Sequence, residues 1–244
     1  AMTKTYDLTT GSLAKHFMRL AIPAAIGMVF STLYNVVDVF FAGMIGTDAQ
    51  AGLAISFQAF FIFVTIGFGL SAAMTALVGN AIGAKKKTDA SIIAAQGIGF
   101  AIVTSVLLIV AARFIGPHLL AIISTEGTYR AAGEAYFMIL ILSLPGFIMG
   151  YGLNGILQAQ GDTVSMQYAL IGAFFANIGL NPLMMFGIPG IWGGLGFDGI
   201  AAATVISQTG VMVYIGVRLL RSGFLKSKAA SDILPDLALY RQIL

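Results

Sequence analysis

The sequence has no cysteine, which excludes a disulfide framework, a thiol nucleophile and a thiolate metal site. It has only two histidines, and His16 and His118 fall on opposite sides of the hydrophobic runs described below, so they share no metal. Charge is equally scarce. Asp, Glu, Lys and Arg make up 9% of the chain, where a soluble domain carries about a quarter, and apolar residues make up 58%. The alternating ten-residue segments of a lipid-facing barrel are missing as well. What remains is an all-α integral membrane protein.

Six apolar runs reach or nearly reach the roughly 20 residues a helix needs to cross a bilayer. They cover residues 20–45, 53–81, 92–112, 135–157, 168–186 and 200–217. Lys and Arg collect in short cytoplasmic loops, so their distribution sets the orientation. Lys4, Lys15, Arg19, Lys85, Lys86, Lys87, Arg218, Arg221, Lys226, Lys228 and Arg241 fall on one side, leaving Arg113 and Arg130 on the other. Both ends are therefore expected in the cytoplasm of a bacterial or archaeal cell, with the protein in the plasma (inner) membrane. The net charge of +3 reflects those loops and does not point to nucleic acid. Residues 1–11 are polar and lack the pattern of a cleavable signal peptide.

Glycine is abundant, at 30 of 244 residues, and lies mostly inside the runs. Gly79 and Gly83, and Gly146 and Gly150, have the four-residue spacing that lets helices approach closely in lipid. Pro23, Pro145 and Pro182 each remove a backbone hydrogen bond within a run, which predicts kinks. At the end of the chain, Leu239, Arg241, Ile243 and Leu244 repeat the spacing of Leu13, Lys15, Phe17 and Met18. A second repeat is expected to begin there, with residues 226–244 as a cytoplasmic linker leading into it.

Asp38 is the only charged residue inside the six runs. A carboxylate in hydrocarbon costs several kcal/mol unless something answers its charge, and no run supplies a Lys or Arg. Away from water it can hold a proton and release it when water or a cation arrives, which is the chemistry of ion coupling. Counting about 1.5 Å per residue from the outer ends of the runs puts Asp38, Asn177, Asn181 and Thr204 at similar depths in the outer half. Tyr34 and Asn35 precede Asp38 by four and three residues and share its face. Gln58 lies in the outer half of the second run and is a further candidate cavity residue. The alternative for the asparagines and the threonine is an interhelical polar clasp of about 1 kcal/mol per bond. An intramembrane enzyme is excluded, because the runs hold no second acid, no serine with a base and no histidine-based metal site.

The chain resembles the multidrug and toxic compound extrusion (MATE) transporters in a series of segments taken in order. These are Leu20-Ala21-Ile22-Pro23, Tyr34-Asn35-Val36-Val37-Asp38, Gln160-Gly161-Asp162, Asn177-Ile178-Gly179-Leu180-Asn181-Pro182 and Gly199 to Ser207. The resemblance implies one six-helix lobe, the N-terminal one, of a twelve-helix antiporter that expels drug-like organic cations in exchange for protons or sodium ions. It implies no cofactor beyond the coupling ion. Its partners would be the organic cation, membrane lipid and the C-terminal lobe of the same protein. The cation site maps onto Asp38, Asn177, Asn181 and Thr204, with Tyr34 beside it and bends at Pro23 and Pro182. A sodium ion would sit at Asp38, Asn177 and Asn181. Asn181 stands where the family often has Asp, which removes a negative charge and favours a proton. A lipid-linked oligosaccharide flippase of related architecture and a passive channel are the alternatives. The first would favour a cationic cavity, which these runs lack.

Overall fold

The structure is a computed structural model and describes residues 13–225, with the side chains of 13–17, 19, 20, 23 and 24 left aside. The expected linker at 226–244, the start of a second repeat and the side chain of Pro23 lie outside the described residues.

Among the described residues, seven α-helices make six apolar crossings: α1 (Leu13–Ile45), α2 (Thr47–Gly83), α3 (Lys87–Ile123), α4 (Thr128–Leu140), α5 (Leu144–Ala159), α6 (Ser165–Phe186) and α7 (Asp198–Arg221). The described residues contain no strand, only an isolated bridge between Ile188 and Trp192. The fold is all-α.

The fourth crossing is built from two helices joined by a 3-10 turn at Ile141–Ser143. Proline causes the break. Pro145 has no N–H to offer the Ile141 carbonyl, and the chain tightens just before it. Pro182, by contrast, sits inside an uninterrupted α6, in its last turns.

Several helices run further than the apolar windows. The third window ends at Ala112, yet α3 continues past Arg113, Pro117 and His118 to Ile123. Arg113 ends the hydrophobic run without ending the helix, because arginine is a good helix former and its side chain here is exposed. The second crossing likewise starts at Thr47, one residue after the Gly46 turn that ends α1.

Helix α2 is the central post, packing on α3, α4 and α5, while α7 closes the bundle against α4, α5 and α6. Helix α1 leans mainly on α6. Small residues set the closest contacts. A Cβ added at Gly52 would lie 2.8 Å from the Tyr129 carbonyl, and one at Gly155 would lie 2.3 Å from that of Ser71. Ser56 occupies the α2–α4 contact and donates to both the Gly52 and Gly133 carbonyls, at 2.7 and 2.8 Å. Of the four glycines singled out by spacing, only Gly146 makes such an approach, with Gln208 of α7. Gly79, Gly83 and Gly150 have room around them. Spacing marks a face where helices can approach, but the neighbouring helix decides whether they do.

Candidate ion and substrate site

Helices α1, α6 and α7 bring four polar side chains together in a fully buried cluster: Asp38, Asn177, Asn181 and Thr204. Asn181 donates from Nδ2 to Asp38 Oδ1 at 2.8 Å and to Asn177 Oδ1 at 3.0 Å. Thr204 Oγ1 donates to Asp38 Oδ2 at 3.3 Å. Asn177 and Asn181 are one helical turn apart, which aligns their amides along α6 toward α1. Thr204 lies within the first two turns of α7 and meets the other carboxylate oxygen.

Both oxygens of Asp38 thus have neutral donors. The ion pairs among the described residues are Lys86 with Asp89, Arg130 with Glu134, and Arg218 with Asp162, so none involves Asp38. Among the described residues, several groups around the cluster have no hydrogen-bond partner: the hydroxyls of Tyr34 and Tyr136, Asn177 Nδ2 and Asn181 Oδ1. Buried polar atoms of this kind are uncommon and concentrate where a group changes partners.

Tyr34 is buried and lines a cavity of about 60 Å³ with Ser31, Asn35, Phe147, Tyr151, Leu170 and Gln208. Asn35 is exposed, and its amide donates to the Ser31 carbonyl at 3.1 Å. Gln58 is exposed on α2 and does not line this cavity. Pro182 follows Asn181 directly and frees the Ile178 carbonyl beside the cluster.

Three participants were not apparent from the sequence. Tyr136 of α4 is completely buried with its hydroxyl unpartnered among the described residues, and it stacks on Phe197 with ring centres 4.8 Å apart. In an apolar run an aromatic residue gives no signal of such a role. Gln208 reaches the small cavity from α7. Asp162, quoted only as part of a motif, lies at the other end of the bundle and ties α6 to α7. Its Oδ1 accepts the N–H groups of Val164 and Ser165, and its Oδ2 accepts the Ser165 hydroxyl and Arg218 Nη2 at 3.0 Å. Burial alone would raise the Asp162 pKa, but the Ser165 hydroxyl, the Ser165 N–H, Arg218 and the Val164 N–H outweigh it and hold it below the usual aspartate value. An Asp two to three residues ahead of a helix start was the available signal.

These features define a polytopic helical membrane protein with a carboxylate buried in its polar centre. Residues 23–183 match the MatE family profile, and the chain belongs to that family. It is 26% identical over 206 residues to the probable multidrug resistance protein NorM of Thermotoga maritima, covering 83% of this chain and 44% of that protein. It is 25% identical to a FAD transporter of Shewanella oneidensis, covering 95% and 51%. The crystal structure of the Vibrio cholerae MATE transporter VcmN in the bent form shares the fold, with a TM-score of 0.82 at 21% identity over 95% of this chain and 51% of that one. The chain spans about half the length of the curated relatives it matches.

Proposed function

We propose that this chain forms one lobe of a secondary antiporter that exports drug-like organic cations in exchange for protons, with Asp38 as the coupling carboxylate. The observation that carries the reading is the complete burial of Asp38 among neutral donors, with no ion pair among the described residues. A carboxylate so placed stays charged only at a cost, and a proton or a cation relieves it. The same oxygen-rich set, Asp38 with the side-chain oxygens of Asn177, Asn181 and Thr204, suits a hard ion such as sodium. A single acid in the cluster favours the proton.

Substrate class is read from the small cavity at Tyr34, one helical turn before Asp38 on α1. Phe147, Tyr151 and Tyr34 offer aromatic faces, and no Lys or Arg lines the small cavity, which suits a cation better than an anion. The FAD transporter among the relatives makes an anionic flavin the comparison to include. In proteoliposomes holding the full-length transporter, Asp38→Asn is expected to abolish proton-driven efflux of a fluorescent organic cation while the protein still inserts and elutes as a single species. Efflux retained in that variant would overturn the assignment. Flux that neither saturates nor depends on an ion gradient would instead identify a channel.

A further inference from the structure

The connection between α6 and α7, residues 187–197, is unlike the other turns of the bundle. It belongs to a stretch, 163–197, without one charged residue. Its backbone is partly paired within itself and with α6. Ile188 and Trp192 exchange N–H to carbonyl bonds at 3.0 and 3.1 Å, Leu195 N–H donates to the Met184 carbonyl at 2.8 Å, and Gly196 N–H to that of Met185 at 3.0 Å. Two glycines make this folding possible. Gly187 and Gly194 both have φ of +75°, and a Cβ on either would fall within 2.4 Å of neighbouring backbone.

The side chains point the other way. Ile191 is 77% exposed, Leu195 49% and Ile188 40%, and they continue the exposed apolar surface of α6 at Phe186. A loop joining two crossings lies at the membrane face, where an open backbone would keep it in water. Here six of the loop's N–H groups are paired, while those of Gly190, Gly193 and Gly194 and most of the carbonyls are left for headgroups and interfacial water, which sets the loop at the interface rather than in the acyl core. Tryptophan beside such residues is characteristic of the membrane interface.

We propose that residues 187–197 form a lipid-contacting foot, with Ile188, Ile191 and Leu195 immersed at the boundary between headgroups and acyl chains of one leaflet. The foot ends at Phe197, which stacks on Tyr136, so the lipid contact braces the aromatic pair next to the buried cluster. The proposed occupant is lipid rather than protein because the patch adjoins the exposed Phe186 at the end of α6 and carries no charge for a polar partner.

The test uses the intact transporter in liposomes, freed of any cysteine outside these residues, with a nitroxide attached to Ile191→Cys or, separately, Ile188→Cys. Phe175→Cys on the exposed face of α6 serves as the lipid reference and Lys86→Cys as the aqueous one. The expected result is a ratio of collision with oxygen to collision with a water-soluble nickel chelate above one at both loop positions, on the side of Phe175. A ratio matching Lys86 would place the loop in water and overturn the proposal. Protection from both reagents would show a protein surface over the loop, and would overturn it too.

Discussion

At the scale of the residue, Asp38 depends on two donors of different reach, and they are separable by substitution. Thr204→Val keeps the shape but leaves Oδ2 without its hydroxyl, while Thr204→Ser retains the donor. Removing one donor from a buried charged group costs about 1–3 kcal/mol. Proton-driven efflux by the full-length transporter in proteoliposomes is therefore expected to fall about tenfold or more in Thr204→Val, and to stay near the parent in Thr204→Ser. Asp162 makes a different forecast. Because its folded pKa is depressed, its contribution to stability is present above the unfolded value of about 3.9 and is lost as pH falls through the lower folded value. Thermal unfolding in detergent should show Asp162→Asn less stable than the parent at neutral pH, with the gap closing under strongly acid conditions. The two acids also differ in how far the sequence revealed them. Asp38 was conspicuous because the helical rise converts residue counts into depth, so its neighbours on α6 and α7 could be named. The partner of Asp162 lies 56 positions away on another helix, and nothing local in the sequence points from one to the other.

At the scale of the element, the number of crossings was legible because six apolar runs leave no other home for their residues. Their ends were less so. Hydropathy senses where charge begins, whereas a helix stops where its hydrogen bonds do, and α3 runs on past Arg113 for that reason. The break in the fourth crossing was legible from Pro145, but the contacts between helices were not. Gly146 illustrates the distinction. A Cβ there would lie 2.8 Å from the Gln208 carbonyl carbon, so a larger side chain forces α5 and α7 apart. Gly146→Leu is expected to destabilise the bundle by about 1–3 kcal/mol, read as a lower thermal midpoint in detergent. Gly79→Leu, with only Ala159 nearby at 4.0 Å, is expected to cost much less.

At the scale of the whole molecule, six crossings fix a pattern of sides. The turn at 84–86 and the stretch from Ser222 lie at one end of the bundle, and the turn at 124–127 lies at the other. Cysteines introduced singly at Lys86 and Ser222 of the full-length transporter, freed of any other cysteine, should react with an impermeant maleimide from the same side of sealed vesicles. One at Thr125 should react only from the opposite side. The basic residues predict that the first side is the cytoplasm, and the labelling in oriented vesicles decides it.

The way α6 and α7 are fastened has a mechanical meaning. At one end the 187–197 loop stitches them through Met184 and Met185, and at the other Asp162 and Ser165 hold Arg218. Asn177, Asn181 and Thr204 therefore ride on a single frame, bolted at both ends. Asp38 rides on α1, which packs along α6 and joins the cluster through the two hydrogen bonds of its carboxylate. Three members of the cluster thus belong to one fastened unit and the fourth to another helix, so the cluster's spacing is a gauge of where α1 stands.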